Sequence, residues 1–283
     1  MDAASDQTDA RSLCRVLQAA RFAADHHARQ KRWGVPTQPR ITHLLEVAES
    51  VTAAGETADA ICMDWVVAAL LHEVVEATDV TLAELEERFG TGVAALVDEL
   101  TSGKALTQAE RQRVQVERAP HCSPGCQAVR LADLVVDLQS VLRQPPRDWD
   151  HELAAAHSAW AGQLVANMPA SPAPLVAELG RLQHQLELFV RLARRGVDEG
   201  VHLLSVGYHQ FGELGVLREW WSQDGVEGDS AVLLKDQVGD LSDEALVEWL
   251  EEHLELSIGT HTVSRTDEWV FVNWGMRQVN SMM

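Results

Sequence analysis

The chain has 283 residues, a net charge of −20 and a pI near 4.9, a balance that repels nucleic-acid polymers and anionic membranes and excludes both as default partners. Apolar residues make up 46% and charged residues 23%, which fits a globular protein of one large or two smaller domains and excludes a disordered chain. Four scattered cysteines, Cys14, Cys62, Cys122 and Cys126, exclude a disulfide framework. The acidic, polar start Met1–Gln7 is no signal peptide, and the longest apolar stretch, Trp65–Leu71, is too short to span a bilayer. A soluble, cytoplasmic protein is expected.

Residues 11–30 place Leu13, Val16, Leu17, Ala20, Ala23 and Ala24 at helical spacing, with His26 and His27 reading as surface histidines. Lys31–Arg40 carries Gly34, Pro36 and Pro39 and reads as a loop. Helices follow over about Thr42–Ala54 and Ala58–Glu76. Two capping-box patterns, Thr81 with Glu84 and Thr107 with Glu110, mark further helix starts, and Gly92–Leu100 is a short helix between them. After Ser123-Pro124-Gly125, a helix carries Val129, Leu131, Ala132, Leu134, Val135, Leu138 and Val141 up to Pro145 and Pro146. Two more helices cover 149–167 and 173–195, the second ended by Gly196, so residues 1–198 read as an all-helical domain of some eight helices.

Residues 199–283 differ: positions 200–283 hold 15 acids against four bases and five of the nine tryptophans. Ser242–Leu256 is an amphipathic helix with Leu246, Val247, Leu250 and Leu254 on one face. His202–Tyr208 and Thr262–Asn273 read as strands, the second placing Trp269, Phe271 and Asn273 on one side. The expected fold class is therefore mainly α, a helical bundle followed by a small, acidic, Trp-rich α+β domain. Its tryptophans suit a core, or an interface with a protein partner or a second copy, better than nucleotide stacking.

The chemistry-bearing segment is Ala68-Ala-Leu-Leu-His72-Glu-Val-Val-Glu76, where two adjacent ionisable residues sit inside an apolar helix and must be desolvated together. His72 and Glu73 can both reach one ion over the helix surface, with His43 and Asp133 as further ligands from neighbouring helices. Two imidazoles and two carboxylates suit Mn²⁺, Fe²⁺ or Zn²⁺ better than Ca²⁺. On residue types alone, a core histidine satisfied by glutamate stands beside the metal reading. The Cys122-x-x-x-Cys126 pair lacks a second cysteine pair and reads as two ordinary thiols. There is no Gly-rich phosphate loop, nucleophile elbow or dinucleotide fingerprint.

From about residue 12 to 165 the chain resembles the small alarmone hydrolases, stand-alone relatives of the hydrolase domain of RelA/SpoT proteins. The resemblance rests on Phe22-Ala-Ala, Ile41-Thr-His43, the segment around His72 through Asp79, Thr81–Gly90, Glu110–Gly125 and Arg130-Leu-Ala-Asp133. It implies the all-helical HD fold, a divalent metal that is most often Mn²⁺, and hydrolytic removal of the 3′-pyrophosphate from (p)ppGpp. It also implies His43, His72, Glu73 and Asp133 as metal ligands, Glu76 as the acidic residue that activates water, and Lys31 and Arg32 as substrate-binding cations. His121 would help hold the site wall. Three positions depart from the family pattern: Glu73 replaces Asp, Ala77 replaces a second acid, and Asp137 replaces an Asn near the ribose and phosphate. A non-catalytic module that binds a nucleotide or a protein, and a hydrolase for another phosphorylated nucleotide, are the alternatives.

Overall fold

Six consecutive residues, Val66–Leu71, are buried, so α3 (Met63–Leu71) can only lie at the centre of its unit. The computed structural model describes residues 3–32, 35–56, 63–143, 151–199, 202–211, 214–223, 226–239, 241–267 and 269–278. The chain forms two units, Met1–Trp149 with Leu153–His184, and Asp150–Glu152 with Gln185–Met283.

In the first unit, α3 packs against α1 (Ala3–His26), α2 (Arg40–Glu56), α6 (Thr91–Leu100) and α8 (Pro124–Arg143). The core between them is aliphatic: Ala19 and Ala23 of α1, Leu44 and Val47 of α2, Val93 and Val97 of α6, and Leu131, Ala132 and Leu138 of α8 are buried. The shorter α4 (Val74–Ala77), α5 (Leu82–Phe89) and α7 (Gln108–Arg118) lie between these elements, and the longer α9 (His151–Ala166) and α10 (Ala173–Glu199) follow, α10 passing from the first unit into the second at His184. Both sequence caps form. Thr81 accepts the Glu84 N–H at the start of α5, and Thr107 and Glu110 make a reciprocal capping box on α7. Between α5 and α6 the single residue Gly90 turns the chain at φ +92°, a conformation that disfavours any Cβ.

Three sequence expectations change. Within Lys31–Arg40 the described residues form an antiparallel strand pair, β1 (Lys31–Arg32) with β2 (Val35–Pro39), rather than a loop. The expected helix to Glu76 is broken at His72–Glu73, which separates α3 from α4. The last long helix continues through Gly196 to Glu199. Cys62, Pro145 and Pro146 lie outside the described residues.

The second unit holds an antiparallel sheet of order β3-β4-β5-β7-β6, built from β3 (His202–Phe211), β4 (Leu214–Gln223), β5 (Val226–Leu234), β6 (His261–Arg265) and β7 (Trp269–Gln278). A short α11 (Lys235–Val238) and α12 (Asp243–Leu254) link β5 to β6, with Ser242 capping α12 through the Ala245 N–H. Leu246, Val247 and Leu250 of α12 pack on Ala231, Leu233, Val270, Val272 and Trp274 of the sheet. On the other face Trp221 Nε1 donates to Ser230 Oγ at 2.7 Å, and Ser230 donates to Asn273 Oδ1 at 2.5 Å. The single strand expected over Thr262–Asn273 is instead a hairpin, turned at Thr266 by the Thr266 N–H to Trp269 carbonyl bond of 2.8 Å. No helix among the described residues is long and apolar enough to cross a membrane.

Gly125 sets how closely α8 approaches its neighbours: a Cβ there would stand 2.5 Å from Trp65 Nε1 and 2.9 Å from Leu96 Cδ2. Gly125→Ala is expected to lower stability by about 1–3 kcal/mol, as overpacking of a filled core does. Chemical denaturation checks this, and an unchanged midpoint would show that Trp65 can move aside.

Candidate metal centre

The packing of α2, α3 and α8 brings two imidazoles to one carboxylate oxygen. His43 lies in the first turn of α2, His72 follows the last residue of α3, and Asp133 sits in mid-α8. His43 Nε2 is 3.0 Å and His72 Nε2 3.5 Å from the same Asp133 Oδ1, and the two rings are 5.7 Å apart. Both imidazoles are buried, yet His43 Nδ1, His43 Nε2 and His72 Nε2 have no partner in hydrogen-bond geometry among the described residues. His72 Nδ1 is 2.7 Å from the Ala69 carbonyl, which can only accept, so Nδ1 carries a proton and the neutral ring presents its lone pair at Nε2. Asp137 Oδ1 lies 3.5 Å from His43 Nδ1, on the opposite edge of that ring.

Burial opposes ionisation of Asp133, but the His72 and His43 imidazoles override it and hold the carboxyl well below its ordinary range. Loss of solvent among its neighbours, followed by repulsion from Asp133, pushes Asp137 up to about 6. Burial disfavours a charged His72, and the Asp133 carboxylate reverses the balance, so its net shift is upward.

The two glutamates are neutralised separately. Glu73 accepts from Arg40 Nε at 2.5 Å, and its other oxygen pairs with the terminal nitrogen of the same guanidinium. Burial would raise the Glu73 carboxyl, but the Arg40 hydrogen bonds, with His72, bring it below the ordinary value. Glu76 is ion-paired to Arg111 and accepts the Ser102 N–H at 3.3 Å. Neither Asp133 nor Asp137 has an Arg or Lys ion-pair partner among the described residues. Two carboxylates and two imidazoles are thus left without a cation.

That remainder fits a divalent ion. Two donors about 2.1 Å from one ion stand roughly 3.0–3.4 Å apart at octahedral or tetrahedral angles, and the contacts to Asp133 are 3.0 and 3.5 Å. Glu73 lies within reach of His43 and His72, with donor atoms all within 4.8 Å of one another, although Arg40 holds both its oxygens.

Of the expected site residues, His43 groups with His72 and Glu73 on one side and with Asp133 and Asp137 on the other, and Glu76 lies on the next helix along with its own partners. Arg32 is buried, with an ion pair to Glu46 at 2.7 Å and a bond to Gln38, so its guanidinium is committed to β2 and α2. Lys31 is exposed on β1. His27 is buried with Nδ1 2.8 Å from Gln30 Oε1, which corrects its reading as a surface histidine, and His121 is exposed on its 3₁₀ turn rather than buried in the site. Sequence reasoning missed Arg40 and Arg111. Arg40 did leave a signal: it opens α2, and a cation in a first turn opposes the helix dipole unless an anion compensates it.

Residues 19–161 match a family model described as an HD domain. The human guanosine-3′,5′-bis(diphosphate) 3′-pyrophosphohydrolase MESH1 is 38% identical over 175 residues, covering 62% of this chain and 96% of that protein. The protein of that name from Drosophila melanogaster is 31% identical over 172 residues, covering 60% and 94%. A solved structure, described as a metazoan ortholog of SpoT that hydrolyses ppGpp and plays a role in starvation responses, superposes with a TM-score of 0.56. It is 30% identical and covers 60% of this chain and 94% of that one.

Asp133→Ala is expected to reduce retention of a divalent ion at least about tenfold, because it removes the carboxylate shared by both imidazoles. Metal analysis after gel filtration checks this, with circular dichroism to show that the helices persist.

Proposed function

The chain belongs to the HD-domain family, and on that premise we propose that it is a metal-dependent phosphohydrolase that removes the 3′-pyrophosphate from (p)ppGpp. The observation that carries this reading is the convergence of His43 Nε2, His72 Nε2 and Asp133 Oδ1 without hydrogen-bond geometry among them. His43, His72 and Asp133 would hold the ion, with Glu73 as the further ligand, and Mn²⁺ suits that donor set. When bound, such an ion polarises a phosphoryl oxygen and lowers the pKa of water at the site.

The chain's own residues supply the rest. The ion pair with Arg111 and the bond from Ser102 fix the orientation of the Glu76 carboxylate, whose oxygen can align the attacking water and accept its proton. Lys31, exposed on β1, offers a cation to the substrate phosphates. Asp137, beside His43 Nδ1, can orient that ring as well as border the substrate. The hydrolase belongs in this reading to residues 1–198 of a cytoplasmic protein, and 199–283 offers an acidic surface to a protein partner or a second copy.

One observation favours a second reading. Arg40 occupies both oxygens of Glu73, and Ala77 brings no carboxylate, an arrangement that suits a module which binds a nucleotide without turning it over.

Purified chain loaded with Mn²⁺ is expected to release pyrophosphate from ppGpp, and Glu76→Gln should lower kcat by about 10²–10⁴. Glu73→Asp and Ala77→Asp should keep or raise the rate. Turnover of other nucleotides but not ppGpp would remove only the substrate assignment. Nucleotide binding without any turnover, after metal loading, would establish the second reading in place of the first.

A further inference from the structure

Cys122 and Cys126 flank the start of α8, where the 3₁₀ turn Ala119–His121 leads into the helix. Their sulfurs and a Glu99 carboxylate oxygen all lie within 4.8 Å of one another. Cys126 is fully buried, whereas Cys122 is half-buried and lines a small pocket with Glu99, Ser102, Gln115, Arg118 and Arg130. The space there is about 10 Å³, roughly that of one water molecule. We propose that this pair is a peroxide-reactive dithiol, with Cys122 as the attacking thiolate and Cys126 as the resolving thiol.

The arrangement divides the two roles. The neighbouring Cys126 thiol, with the positive charge of Arg130 and Arg118, pulls the Cys122 thiol down to about 7 against burial and Glu99. The same interaction and burial push the Cys126 thiol up, so it keeps its proton. A metal site is the competing use of these three side chains. Two features oppose it: Glu99 already accepts the Ser123 N–H at 2.7 Å, and two guanidinium groups line the same pocket.

In the first step the Cys122 thiolate attacks one oxygen of hydrogen peroxide. The S–O bond forms as the O–O bond breaks, sulfur loses two electrons to the peroxide, and hydroxide leaves and takes up a proton as water. In the second step the Cys126 sulfur attacks the Cys122 sulfenic acid. The S–S bond forms, the S–O bond breaks, and the departing hydroxide carries off the Cys126 proton as a second water. The two sulfurs start within 4.8 Å of one another, so closure needs only local movement at the start of α8.

The test treats the full-length chain with hydrogen peroxide, quenches with an alkylating reagent and maps the cysteines by mass spectrometry. Cys122 is expected to oxidise about tenfold faster than Cys14, which is exposed on α1. The product should be a Cys122–Cys126 disulfide. Cys126→Ser should leave a sulfenic acid at Cys122 that a dimedone-type probe captures, and Cys122→Ser should leave Cys126 unreactive. The rate comparison with Cys14 needs no variant and stands even if a substituted chain misfolds. Equal rates at Cys122 and Cys14 overturn the proposal, as does zinc that co-purifies and shields both thiols from alkylation until it is chelated.

Discussion

Desolvation is the constraint on which the first unit is organised. The apolar helix α3 delivers His72 and Glu73 into the interior beside His43 and Asp133, where each charge costs free energy unless it is compensated. The chain compensates them by division. Each glutamate receives an arginine from elsewhere in the fold, His72 gives one ring proton to Ala69, and the residues without a cation are those best suited to bind one. The site is therefore what remains after the two neighbouring glutamates have been matched.

Much of this was legible in the amino-acid sequence, and the exceptions have physical reasons. The helices could be read because α1 and α2 bury one face each and α8 is apolar along most of its length, and His43, His72 and Asp133 because the collinear family resemblance implied them where residue types alone left two readings open. The break at His72–Glu73 was hidden, since Val74 and Val75 continue the apolar pattern across it. Arg40 and Glu73 are 33 residues apart, and a lone arginine carries no mark of so distant a partner. In the second unit β5 was invisible because Ser230, Ala231, Val232 and Leu233 are all buried, which erases the alternation that marks a one-sided strand. The same burial holds along β7, where Val270, Phe271 and Val272 are all buried, and only Asn273, paired to Ser230, breaks the apolar run.

The acidic character of the chain and an anionic substrate class are compatible because charge acts locally. A net charge of −20 is spread over the whole molecule and screened within about 10 Å at ordinary salt. Around the metal centre, Arg40 and Arg111 answer Glu73 and Glu76. A bound divalent ion would answer Asp133 and Asp137. The match to the HD domain stops at residue 161, so the five-stranded sheet and its tryptophans lie beyond the shared region. There Trp274 packs in the core, Trp221 donates to Ser230 and Trp249 stacks on His253 with ring centres 4.1 Å apart.

The Arg40–Glu73 pair also limits how this family member can drift. Both side chains are largely withdrawn from water, at 15% and 23% exposure. Losing either one strands the other as an uncompensated charge, a penalty that reaches about 3–5 kcal/mol where burial is complete. Neutral change at position 40 therefore depends on what occupies position 73, and the reverse holds equally. The two sites are expected to be inherited as a unit: a lineage that carries glutamate in the His72–Glu73 dipeptide is held to a cation at the mouth of α2, and one that gives up the cation must change the acid with it.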